Sequence, residues 1–179
     1  MGFKKNSPFI LSTIHRAENT DDPERLKSIL SAFVVIVEKI PIILPLHPRT
    51  AKIISQSAEL KSLAKSLQII EPVSYLEMLA LEKGCSMICT DSGGIQKEAY
   101  FLQTPCITMR DQTEWVETLE SGWNKVVGAD RRQIVAAVEE VLEQFRHTAQ
   151  ESPFGDRERH RTHCYGDGNA AQQIINCLR

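Results

Sequence analysis

Residues 86–101 read Ser-Met-Ile-Cys-Thr-Asp-Ser-Gly-Gly-Ile-Gln-Lys-Glu-Ala-Tyr-Phe. Ser86–Thr90 is a mostly apolar run of strand length, Gly93 and Gly94 punctuate the chain, and Ile95–Phe101 has the pattern of a helix. A strand that turns through glycines into a helix is one unit of a parallel sheet covered on both faces. The same alternation recurs on either side of this segment. It predicts six strands: Phe9–Thr13, Ile42–Leu46, Leu67–Ile70, Ser86–Thr90, Cys106–Met109 and Asn124–Val127. The expected fold is an α/β three-layer domain built on a six-stranded parallel sheet.

Between the first two strands Leu26, Ile29, Leu30, Phe33, Val34 and Val37 recur at helical spacing, with Asp22 as N-cap and Pro23 at the first helical position. One helix is expected over about Thr50–Leu63. Another starts at Ser74, where Ser74 and Glu77 have capping-box spacing, and ends at Gly84. Asp130 can cap a helix whose stripe is Ile134, Val138, Val141, Leu142 and Phe145, and a final helix runs from Asn169 to Leu178. Between these two, the polar segment from His147 to Asp167 reads as a long connection.

Composition narrows the function classes. A length of 179 residues suits one domain, 1–179, with 42% apolar and 25% charged residues near the averages for globular proteins. A formal charge of -2 supplies no global field for nucleic acid or a membrane surface, so an anionic ligand must be held by local geometry. The apolar stretches are far shorter than the roughly 18 residues of a membrane span, and the first eight residues lack a signal-peptide pattern. A cytoplasmic protein with neither nucleic-acid nor membrane partners is expected. Cys85, Cys89, Cys106, Cys164 and Cys177 are odd in number and scattered, and the first three read as reduced core thiols. Cys85 and Cys89 lack a second pair at zinc spacing, and His160-Arg161-Thr162-His163-Cys164 reads as a basic loop. Neither a metal nor a cofactor is expected.

Ligands of open parallel sheets bind beyond the carboxyl ends of the strands, where strand order reverses. If the order is 3-2-1-4-5-6, the loops after the first and fourth strands face each other. They are the two segments richest in chemistry: His15-Arg16-Ala17-Glu18-Asn19 and Asp91-Ser92-Gly93-Gly94. The second can cradle a phosphate on backbone N–H groups and the helix dipole, with the Ser92 hydroxyl as a further donor, or it can be simply a tight turn. Glu98, one helical turn in, can accept hydrogen bonds from a vicinal diol such as a ribose, or stand as a solvated carboxylate. His15 and Arg16 can bind an anion or move a proton, or stabilise the loop. His47-Pro48-Arg49 has similar potential farther from the switch point. Arg110–Glu117 brings a cation, a hydroxyl and three acids to the crevice edge, while Trp115 and Trp123 read first as core anchors.

Three segments, Thr13–Asn19, Asp91–Ala99 and Arg110–Glu114, together with Tyr165-Gly166-Asp167-Gly168-Asn169-Ala170, occur in the order seen in one family. The chain resembles the C-terminal half of the non-hydrolysing UDP-N-acetylglucosamine 2-epimerases over almost its whole length. The resemblance implies a Rossmann-like domain, the second half of a GT-B type two-domain architecture that clamps a UDP-sugar, with the N-terminal domain absent here. It implies that His15 acts catalytically at the diphosphate and sugar, and that Arg16, Ser92, Gly93, Gly94, Arg110, Thr113 and Glu114 bind substrate. Glu98 would take the ribose, and Val73 and Met78 would border the uracil, Met78 standing where the family often has an aromatic ring.

The implied reaction is inversion at C2 by elimination and re-addition of UDP, with the proton-handling carboxylates on the N-terminal domain. Thr113-Glu114-Trp115-Val116-Glu117 departs from the family's common Thr-Glu-Arg-Pro-Glu and looks more like the branch acting on UDP-2,3-diacetamido-glucuronate. The expected partners are a UDP-sugar, the N-terminal domain and a homodimer mate. A glycosyltransferase domain and a non-catalytic UDP-sugar-binding module are the competing readings.

Overall fold

The computed structural model describes residues 7–147, 165–166 and 168–178. Six parallel strands, β1 (Ile10–Thr13), β2 (Ile42–Pro45), β3 (Gln68–Ile70), β4 (Met87–Thr90), β5 (Cys106–Thr108) and β6 (Asn124–Val126), form one sheet in the order β3-β2-β1-β4-β5-β6. All six lie within a residue or so of their expected positions, and the strand order is the one that makes β1 and β4 neighbours. Their register pairs Ile10 with Met87 and Thr13 with Thr90.

The helices cover both faces. Alternate strand residues point to opposite sides, and Ile10, Ile42, Leu44, Met87, Cys89 and Ile107 join the larger core. That core is closed by α2 (Pro23–Ile36), α3 (Pro48–Gln56), α4 (Ala58–Ala64) and α8 (Arg131–His147). On the other face Leu11, Ile88 and Cys106 pack with Ile95 and Ala99 of α6 (Gly93–Leu102) and Met78 and Leu81 of α5 (Tyr75–Gly84). Cys89 and Cys106 are buried free thiols and Cys85 is a half-buried one, so the core-thiol reading holds for the first two and in part for the third. Trp123 is buried as expected of an anchor.

The capping signals operate as the sequence suggests. Asp22 accepts from the N–H groups of Glu24 and Arg25, Ser74 and Glu77 form a reciprocal capping box, and Asp130 accepts from Gln133 N at 2.9 Å. One expectation is corrected: the helix predicted over Thr50–Leu63 is two, α3 and α4, broken at Ser57. Ser57 adopts an extended backbone (φ -120°, ψ 124°) and its hydroxyl accepts from Leu60 N. The apolar spacing runs on through the break, and so conceals it. Two short helices, α1 (Ala17–Thr20) and α7 (Val116–Glu120), and α9 (Ala170–Cys177) complete the set among the described residues. The expected connection from His147 to Asp167 and the His160–Cys164 cluster fall almost wholly outside them.

Candidate functional site

The loops after β1 and β4 meet at the C-terminal edge of the sheet, and Asp91 joins them. Asp91 is fully buried. Its carboxylate accepts from the backbone N–H of His15 at 3.1 Å and of Arg16 at 3.0 Å, and from Asn19 Nδ2 at 3.2 Å. A buried carboxylate is costly unless donors surround it, and here those donors are the backbone of the facing loop. Beneath them the hydroxyls of Thr13 and Thr90 are 2.6 Å apart, and Ser92 N donates to Thr90 Oγ1 at 2.9 Å.

A second set of contacts ties in the loop after β5. Buried Asn19 donates to Met109 O at 2.8 Å and accepts from Arg25 Nε at 3.1 Å. Arg25 also reaches both carboxylate oxygens of Asp111, at 3.0 and 3.1 Å, and Glu18 at 3.1 Å. Arg110 bridges Glu18 and Glu114, the latter at 2.8 Å. Thr113 donates to Gln96 Oε1, which also accepts from Asn124.

These contacts converge on the start of α6. The Ser92 side chain makes no cap hydrogen bond, so the first-turn N–H groups are not closed off by their own N-cap. A Cβ on Gly93 would stand 2.7 Å from Glu114 Oε1, 3.2 Å from Trp115 Nε1 and 3.5 Å from Arg16 Nη2. Glycine is therefore required here by close approach. The Glu114 carboxyl is held below its ordinary range by its own backbone N–H, then by Arg110 and Arg16 against the opposing effect of burial. It lies beside the positive end of the helix, where an anion is favoured.

His15 is half-buried, with Nδ1 3.4 Å from Asp91 Oδ1 and its ring 5.6 Å from that of His47. Burial lowers its pKa; Asp91 opposes this, and His47 and Arg16 add to it. A neutral imidazole at neutral pH follows. His47 itself caps α3, accepting from Arg49 N, and Arg49 pairs with Asp21; the potential of His47-Pro48-Arg49 is spent on a helix start.

The structure thus brings His15, Arg16, Ser92, Gly93, Arg110, Thr113 and Glu114 into one connected cluster, with Gly94 exposed at its edge. Glu98 lies on the α5 side of α6, beside Tyr75 and Glu82. Met78 packs against the smaller core, and Val73 is half-buried in the turn before α5. Trp115 is half-buried, and its Nε1 is enclosed without a hydrogen-bond partner among the described residues. Its ring carries Lys97 Nζ 4.3 Å from the centroid, and Tyr165 supplies a second ring at 4.8 Å. The core-anchor reading of Trp115 is thus only half right.

Glu18, Asn19, Asp91 and Gln96 stand in the motifs quoted from the sequence without a role of their own, and Arg25 is not among them. An acid placed between a strand and Ser-Gly-Gly was the available signal for Asp91. Arg25 had none, being one cation among several on a helix.

A family model described as UDP-N-acetylglucosamine 2-epimerase matches residues 2–179. The chain is 50% identical over 143 residues to the UDP-2,3-diacetamido-2,3-dideoxy-D-glucuronate 2-epimerase of Pseudomonas aeruginosa, covering 79% of this chain and 39% of that one. It is 43% identical over 173 residues to a UDP-N-acetylglucosamine 2-epimerase homolog of Methanococcus maripaludis, covering 96% and 44%. The crystal structure of the Methanocaldococcus jannaschii UDP-GlcNAc 2-epimerase in complex with UDP-GlcNAc and UDP superposes with a TM-score of 0.77 at 37% identity, over 97% of this chain and 46% of that one. The chain therefore spans less than half the length of these relatives.

Proposed function

The chain belongs to the UDP-N-acetylglucosamine 2-epimerase family, and we propose that it is the UDP-binding half of a UDP-sugar 2-epimerase. The observation that carries this reading is the Asp91 bridge, which fixes His15 and Arg16 opposite Ser92, Gly93 and Gly94 at the switch point of the sheet. Arg16 and the first-turn N–H groups of α6 would hold the diphosphate, Glu98 the ribose hydroxyls, and Val73 and Met78 the edge of the uracil. Arg110, Thr113 and Glu114 line the approach to the sugar.

In the reaction, the bond from C1 to the UDP oxygen breaks with its electron pair leaving on UDP, and C2 loses a proton, giving a 2-acetamidoglucal. Reprotonation of C2 on the opposite face and re-addition of UDP at C1 complete the inversion. The chain's donors stabilise charge on departing UDP, which is electrostatic catalysis by preorganised groups. His15, neutral and beside Asp91, is placed to donate or accept a proton near the diphosphate. The groups that move the C2 proton would come from a second domain facing this one, so a UDP-sugar and that domain are the proposed partners.

Two sugars compete. The Pseudomonas aeruginosa relative and Trp115-Val116 favour a UDP-2,3-diacetamido uronate, while the other relatives favour UDP-N-acetylglucosamine. UDP is expected to raise the melting temperature of the chain, and Ser92→Ala or Glu98→Ala to weaken UDP roughly five- to a hundredfold, the effect of losing one charge-assisted hydrogen bond. Unchanged affinity in both variants removes the site assignment.

A further inference from the structure

Glu82, near the end of α5, is fully buried, and the polar side chain its carboxyl meets among the described residues is another carboxyl, that of Glu98, with no donor or cation to satisfy it. Leaving a buried carboxyl unsatisfied is expensive, and the function proposed above does not use it. Tyr75, Met78 and Glu82 are spaced to share one face of α5. That face meets α6, where the Glu98 carboxylate lies beside both Tyr75 and Glu82. The backbone at Glu82 is pinned, its carbonyl accepting from Thr104 Oγ1 at 3.1 Å and from Cys85 Sγ at 3.2 Å. These contacts hold the backbone that carries the carboxyl against the segment that follows α6.

We propose that Glu82 is a positioning residue, setting through the α5–α6 interface where the Glu98 carboxylate stands to receive the ribose diol of a uridine nucleotide. This rests on the reading of Glu98 given above. Two adjacent carboxyl groups do not both ionise cheaply. Burial first, and the Glu98 charge second, push Glu82 up to about 8, so at neutral pH it is a neutral acid beside a carboxylate. Its O–H can steady one Glu98 oxygen and leave the other to the ribose hydroxyls. Once ionised, Glu82 repels Glu98 outward and the diol loses its acceptor.

The other titratable groups facing this pair are Tyr75 on α5, raised by the Glu98 charge first, and the Cys85 and Cys106 thiols, pushed up to about 12 by burial. Glu82 is therefore the group of this cluster that changes charge between about pH 7 and 9.

The test is UDP affinity by calorimetry between about pH 7 and 9, in the chain and in its Glu82→Gln, Glu82→Leu and Glu98→Gln variants. UDP's own ionisation is common to all four and cancels in their ratios. Glu82→Gln keeps a neutral donor and should lose the alkaline weakening, so that the ratio of its affinity to that of the parent rises about tenfold across the range. Glu82→Leu should bind several-fold more weakly than Glu82→Gln at every pH. Parallel profiles for the parent and Glu82→Gln, with Glu98→Gln weakened, overturn this proposal and leave the ribose reading standing. Unchanged affinity in Glu98→Gln overturns both. A readout free of ligand is the carboxyl carbon shift of Glu82 by NMR: a midpoint near 8 that also displaces the Glu98 signal supports the proposal, and an ordinary carboxylate midpoint refutes it.

Discussion

Asp91 illustrates how one side chain sets a loop. Its carboxylate replaces water for the N–H groups of His15 and Arg16, and a fully buried charge with several donors is weakened sharply when one is mispaired. Asp91→Asn turns one acceptor into a donor facing those N–H groups, and should cost about 2–4 kcal/mol in urea unfolding while also weakening UDP. Gly93 and Gly94 give a matched contrast. A Cβ at Gly93 would lie 2.7 Å from Glu114 Oε1, whereas at Gly94 its nearest neighbour is Ser92 Oγ at 3.9 Å, an ordinary contact. Gly93→Ala should displace Glu114 and Arg16 and reduce UDP affinity at least tenfold by the same calorimetry, equivalent to about 1.4 kcal/mol. Gly94→Ala should fold as stably as the parent or slightly better, since alanine suits a helix start more than glycine does.

At the scale of elements, the pairing of α5 with α6 has a consequence for stability. Folded Glu82 holds its proton up to about pH 8, against an ordinary value of 4.5. Between those values the folded chain binds the proton that the unfolded chain has released. Stability therefore falls as pH rises from about 4.5 to about 8 and is unaffected by this group above that window. Glu82→Gln should remove that loss, raising stability by up to about 4 kcal/mol near pH 7.5, with the difference closing toward pH 4. Chemical denaturation across that range measures it, and equal slopes for parent and variant would contradict it. The α3–α4 break shows the limit of periodicity at this scale: Ile53, Ile54, Leu60 and Leu63 keep a helical rhythm, while Ser57 is free to prefer an N-cap because a serine hydroxyl competes for backbone N–H groups.

For the whole molecule, the function proposed above makes the sheet's C-terminal edge one side of a site that a second domain would complete. Tyr75, Leu76 and Val116 are exposed there, beside a cluster that holds anion-binding groups and the neutral imidazole of His15. The isolated chain is expected to bind UDP yet to turn over UDP-N-acetylglucosamine at no measurable rate, assayed by sugar exchange at C2; supplying a complementary N-terminal domain should restore turnover. Rates from the chain alone that match those of whole relatives would refute the division of labour. Much of this was legible in the chain itself. Six apolar runs, the caps Asp22, Ser74 and Asp130, and the glycine turn after β4 fixed element types and the α/β class, because strand and helix periods and capping hydrogen bonds are local properties of neighbouring residues. The resemblance implied ligand chemistry on the loops after β1, β4 and β5. Tertiary structure alone decided that Asp91 serves the loop 76 residues before it, that Arg25 on α2 holds Asp111 86 residues on, that Trp115 leans on Gly93, and that Glu82 faces Glu98. Those pairings depend on which strands lie side by side and which helix faces meet, and no local pattern encodes the contacts that burial enforces between distant segments.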